Sequence, residues 1–119
     1  MQQQILQLVT RHCETLRTEF AEIDRSFDAA HRDPDGAGLG PVTASAHKIK
    51  GSSGSLGFAE VSARAERLEV ALRRLECDPA RPGGLEALRP LRDDLGRAVS
   101  EIRPEQSSLY ARFSGKPAT

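Results

Sequence analysis

Val42-Thr43-Ala44-Ser45-Ala46-His47-Lys48-Ile49-Lys50-Gly51-Ser52-Ser53-Gly54-Ser55-Leu56-Gly57 is the stretch on which the fold turns. Taken alone, Gly51-Ser52-Ser53-Gly54-Ser55 has the composition of a flexible connection, which would leave His47 capping the end of a helix. The phase of the flanking residues argues for a helix instead. Val42, Ala46, Ile49, Ser53 and Leu56 follow steps of 4, 3, 4 and 3, so one face is kept through both glycines. A linker has no reason to hold phase. Pro41 opens this helix, at a place where proline is well tolerated, and Gly57 ends it.

The same periodicity recurs on both sides. From Gln3 to His31, Ile5, Val9, Cys13, Leu16, Phe20, Ile23, Phe27 and Ala30 form one continuous stripe. Asp33 to Gly40 then reads as a loop, with a proline followed by alternating glycines. Beyond Gly57, Phe58, Val61, Ala65, Leu68, Leu72 and Leu75 mark a third helix. Asp78-Pro79 and Arg81-Pro82-Gly83-Gly84 break the chain again. Leu85, Leu88, Leu91, Leu95, Val99 and Ile102 mark a fourth helix that Pro104 ends, with a kink or a true start at Pro90. Leu109, Tyr110 and Phe113 suit a short final helical turn packed over one end. Residues 114–119 suit a flexible tail. Four amphipathic helices with short connections imply an all-α fold: an antiparallel, up-down-up-down four-helix bundle over residues 1–113, as one domain.

Composition narrows the function. In 119 residues, 17 basic side chains meet 17 acidic ones, so the basic excess of a nucleic-acid binder is missing. No apolar run approaches the roughly 18 residues of a membrane span. The opening Met1-Gln2-Gln3-Gln4 is polar and uncharged, with no apolar stretch behind it, so no secretory signal is expected. Cys13 and Cys77 are too few for a disulfide framework, and a reducing cytoplasmic setting is the expectation. A low aromatic content, with no Trp, favours a Leu/Val/Ile/Ala core and hence helices. His12, Cys13 and Glu14 are adjacent and so point different ways on a helix, and no metal site is expected. His31 suits a cation near a helix C-terminus. Neither a phosphate-binding Gly-rich loop nor a nucleophile elbow is present.

Off the stripes, one region stands apart. No Asp or Glu occurs between Gly36 and Ala59, and two of only three lysines, Lys48 and Lys50, lie there beside His47. A local positive field on a neutral chain is expected. His47 falls at the edge of the stripe, and Lys50, Gly51 and Gly54 share its face at three, four and seven positions on. Each helical glycine costs about 1 kcal/mol relative to alanine. Two of them on one face therefore suggest that bulk beside the imidazole is unwanted. On the third helix Ser62, Glu66, Glu69, Arg73 and Glu76 make a polar face. Glu69 and Arg73 are either a surface ion pair of small value or the border of His47. In the second case a carboxylate holding Nδ1–H would leave Nε2 as the nucleophile, and Arg73 would meet anionic oxygens.

Ala46-His47-Lys48-Ile49-Lys50-Gly51-Ser52-Ser53-Gly54-Ser55-Leu56-Gly57 resembles the signature of histidine phosphotransfer (HPt) domains, roughly A-H-x-L-K-G-S-A-x-x-L-G. Leu68-Glu69 and Arg73 resemble the end of that family's next helix. Ser53 and Ile49 stand where the family often has Ala and Leu, and a single long helix precedes the motif, where the family often has an extra one. The resemblance implies a four-helix bundle acting as a phosphorelay intermediate. His47 would be the phosphoacceptor, exchanging a phosphoryl group with the aspartate of a receiver domain. Lys50, Glu69 and Arg73 would form the phosphoryl and imidazole environment, and Lys48, Gly51 and Gly54 the docking face. The implied partners are response-regulator receiver domains and a sensor histidine kinase, including the hybrid kind. No cofactor is implied for the chain itself, because Mg²⁺ belongs to the receiver, and neither is an ATP site or autophosphorylation. A monomer is expected, since all four stripes can be satisfied within one chain. Two rivals remain. In a dimerising kinase segment an acid usually follows the histidine, where this chain has Lys48. A helical adaptor would bind a receiver or a kinase without phosphate transfer.

Overall fold

The computed structural model describes residues 2–32, 39–80 and 83–113. Helix α1 is Gln2–Arg32, α2 is Leu39–Ser55 and α3 is Ala59–Cys77. A 3₁₀ segment, Gly84–Leu88, leads into α4, Arg89–Ser100. A second 3₁₀ turn, Pro104–Gln106, precedes the short α5, Ser108–Phe113. Among the described residues there is no strand, and one helix, α1, precedes α2. At 1.5 Å per residue α1 is about 46 Å long, longer than any partner. α4, the 3₁₀ turn and α5 line up in succession against it.

The stripes are the core. Val9, Leu16, Ile23, Phe27, Val42, Ile49, Leu68, Leu72 and Leu95 are buried without measurable exposure. Each such side chain stabilises the fold by roughly 1.5–3 kcal/mol relative to an exposed position. Contacts run in reverse order along the helix pairs. His12 meets Ser53 and Glu19 meets Lys48 between α1 and α2. Thr43 meets Glu76, His47 meets Glu69 and Lys50 meets Glu66 between α2 and α3. Phe20 faces Gly96, and Asp24 and Asp28 face Arg92, between α1 and α4. These three pairs are therefore antiparallel, as the stripes predict.

Two boundaries differ from expectation, and at a third the structure decides between two alternatives. α2 opens at Leu39, two residues before Pro41. Proline is still within the first turn, where backbone N–H groups have no intrahelical partner to lose. At Pro90 the alternative of a true start holds: Pro90 lies in the first turn of α4, and Gly84–Leu88 form a 3₁₀ segment ahead of it. α4 also stops at Ser100, and Pro104 starts the following turn instead of ending the helix. Of the expected loop at 33–40, Leu39 and Gly40 belong to α2, and residues 33–38, like the tail at 114–119, lie outside the described residues.

The turn after α2 orients the site. Gly57 adopts φ +84°, a left-handed conformation open to glycine. Phe58 N–H donates to Ser53 C=O at 2.8 Å and Gly57 N–H to Gly54 C=O at 3.2 Å, which closes a Schellman motif. Only residues 56–58 separate α2 from α3, so the two helices lie side by side.

Candidate functional site

His47 stands at the middle of the α2–α3 seam, its side chain 63% exposed. Across the seam, in the middle of α3, is Glu69, whose side chain is only 7% exposed. His47 Nδ1 and Glu69 Oε2 are 2.9 Å apart. A carboxylate can only accept, so Nδ1 carries the hydrogen and the Nε2 lone pair points away from α3 into the open. Arg73 donates Nε–H to the same Oε2 at 3.0 Å, and its Nη2 forms an ion pair with that oxygen at 2.8 Å. Burial by itself would raise the Glu69 carboxyl, but hydrogen bonds from Arg73 and His47 and the charges of both outweigh it and hold it below the usual 4.5. Arg73 is exposed but Glu69 is not, so the two are no ordinary surface pair. The carboxylate is buried and ionised, and it is shared between the imidazole and the guanidinium.

The acid-free run from Gly36 to Ala59 is acid-free in sequence but not in space. Lys50 Nζ lies 3.6 Å from Glu66 and 4.0 Å from Glu69, and Lys48 Nζ lies 3.9 Å from Glu19 on α1. The expected positive field is therefore largely compensated by carboxylates from α1 and α3. Along α2's outer face Gly51 is open, and a Cβ there would meet nothing within 4 Å. Gly54 is different. Its Cβ would stand 3.2 Å from Ser62 Oγ, and that hydroxyl donates to Lys50 C=O at 2.9 Å. A packing reason inside the molecule accounts for the glycine at 54.

Periodicity missed one pair. Ser53 is fully buried, and His12 is 7% exposed beneath it. His12 Nε2 and Ser53 Oγ are 3.3 Å apart, and the imidazole stacks on Phe58 with centroids 5.7 Å apart. A hydroxyl on an apolar stripe needs a buried partner. That requirement was the signal available in the sequence, with His12 one position off the α1 stripe. The side chain of His31 lies outside the described residues. Among the described residues, no group of three or more His, Cys, Asp and Glu side chains is gathered for a metal, and no helix is long and apolar enough to cross a membrane.

A helical bundle that offers one oriented imidazole to solvent, beside lysine and open glycine backbone, defines the class of histidine phosphocarriers. The family model for the Hpt domain matches residues 3–103, and the chain belongs to that family. Membership carries histidine phosphotransfer in two-component phosphorelays, in the role of a phosphocarrier and not of a kinase. No curated protein and no solved structure matches the chain.

Proposed function

We propose that His47 Nε2 accepts a phosphoryl group from the phosphorylated aspartate of a receiver domain and returns it to another such aspartate. The observation that carries this reading is the exposed imidazole held through Nδ1 by buried Glu69, with Nε2 free. The Nε2 lone pair attacks phosphorus, the bond from phosphorus to the aspartyl oxygen breaks, and the carboxylate leaves. Nδ1 keeps its hydrogen throughout. The positive charge that develops on the phosphorylated ring faces the Glu69 carboxylate, so the same contact that orients the nucleophile stabilises the product. Lys50 lies one turn from His47, where its ammonium can meet phosphoryl oxygens. Gly51 and Lys48 lie on the face a receiver must approach, with Gly54 one turn further along. Phosphoryl transfer needs positioning and charge neutralisation more than covalent machinery, and the receiver brings the metal and its acidic ligands. The setting this chemistry suits is the cytoplasm, where receivers and the kinase domains that feed them operate.

Incubation with a receiver domain phosphorylated by a small-molecule donor tests this. The native chain should acquire an acid-labile, alkali-stable label at His47. His47→Gln should melt like the native protein, since the side chain is not in the core, and take no label. Label on His12 or another residue of His47→Gln would overturn the assignment. An unlabelled native chain that still binds the receiver would make the protein an adaptor.

A further inference from the structure

Glu69 sets its own difficulty. A carboxylate in contact with an imidazole favours the protonated ring, commonly by one to three pH units when the two are within about 4–6 Å. An imidazolium has no lone pair on Nε2 and attacks nothing. The residue that orients His47 therefore tends also to silence it. Arg73 donates Nε–H to the same carboxylate oxygen as His47, with Nη2 2.8 Å from it, whereas Glu69 Oε1 has no hydrogen-bond partner. The other charges around His47 are already matched. Lys50 on α2 faces Glu66 of α3, and Lys48 on α2 faces Glu19 of α1. Lys50 Nζ also lies 4.0 Å from Glu69 Oε1, but its nearer partner is Glu66, and Arg73 is the cation hydrogen-bonded to the oxygen that holds Nδ1.

We propose that Arg73 is a positioning residue whose charge offsets Glu69, so that the carboxylate orients the His47 imidazole without holding it protonated. This rests on the phosphotransfer reading of the site. It assigns Arg73 to the carboxylate in the resting protein, before any phosphoryl oxygen is present. The Nε–H bond and the Nη2 ion pair both fall on Oε2, the oxygen that meets the ring, and favour keeping it there.

The titration of the His47 ring nitrogens, followed by ¹⁵N NMR on the free full-length chain, tests this without any partner. Arg73→Gln should raise the midpoint by about one pH unit, the lower part of the range for a partly exposed group. Arg73→Lys should stay near the native midpoint, because it keeps the charge. In Glu69→Gln/Arg73→Gln no carboxylate remains to be offset, and the rise should vanish. Transfer from a phosphorylated receiver to Arg73→Gln should fall about tenfold on the acid limb of its pH profile and match the native rate on the alkaline plateau. An unchanged midpoint in Arg73→Gln, or a loss of transfer equal at every pH, would overturn the proposal. So would Arg73→Lys behaving like Arg73→Gln. A native chain whose titration responds as described but which takes no label would support the role of Arg73 and overturn the relay reading instead.

Discussion

Gly51 lies one turn beyond His47 on an exposed face, and a Cβ there would meet nothing within 4 Å. Gly51→Ala should therefore stabilise α2 by about 1 kcal/mol, the helix propensity difference. Gly51→Gln should keep or raise the melting temperature while slowing phosphotransfer, since bulk there separates Nε2 from an incoming phosphorus. Displacement of about an ångström can cost on the order of 100-fold in rate. A thermal melt beside a timed labelling series checks both halves, and unchanged transfer would sink the docking role. The grouping of His47, Lys50 and Gly51 was legible because spacing on one helix is a local property. The depth of Glu69 was not. Its own helix places it at the edge of a polar face, and only the register of α3 against α2 decides that this edge is buried. Single-helix periodicity carries no register. The same blindness hid His12, whose partner Ser53 is 41 residues away.

At the scale of elements, the α2–α3 turn is also where the end of the chain is fastened. Ser108 N–H donates to Gly57 C=O at 3.0 Å, and the Ser107 hydroxyl donates to Leu56 C=O. A Cβ on Gly57 would lie 2.5 Å from Ser108 Oγ and 2.8 Å from Leu109 N, on top of a positive φ. Gly57→Ala should lower stability by about 1–3 kcal/mol from backbone strain alone, and more if α5 is displaced. Denaturant melts measure the loss, and a neutral result would mean that the turn relaxes freely. Gly57 as a terminator was readable from the break in the stripe. Its second role was not, because nothing local to residues 55–59 announces a segment 51 residues downstream. Helix existence was legible from the 3–4 stepping, and so was a start near Pro90, whereas the boundaries at Pro41 and Pro104 were less so. Proline states where a helix cannot continue but is equally at home in a first turn.

Across the whole molecule, two buried groups set how the bundle responds to acid. Burial holds His12 below the usual 6.5, and no ion pair to it is formed among the described residues. As pH falls through about 6.5 the unfolded chain takes up a proton that the folded one refuses, so stability declines from there downward. Glu69 acts lower. Its carboxyl is held below 4.5, so its contribution is complete above that pH and is lost as the pH falls through its folded value. His12→Gln should remove the first decline. Its melting temperature should fall less than the native one between about pH 7 and pH 5, with the two curves parallel again at lower pH. Parallel curves over the whole range would show that His12 does not titrate against folding. The fastening of Ser108 onto Gly57 has, finally, a consequence in time. Residues 47 to 73, which carry the imidazole, its carboxylate and its guanidinium, close over a three-residue turn, whereas that clasp must close a loop of 51 residues. Loop-closure entropy rises with the length of chain to be gathered, so contacts near in sequence are reached first. During synthesis the oriented histidine is thus assembled early, and the knot that secures the turn beneath it is tied last.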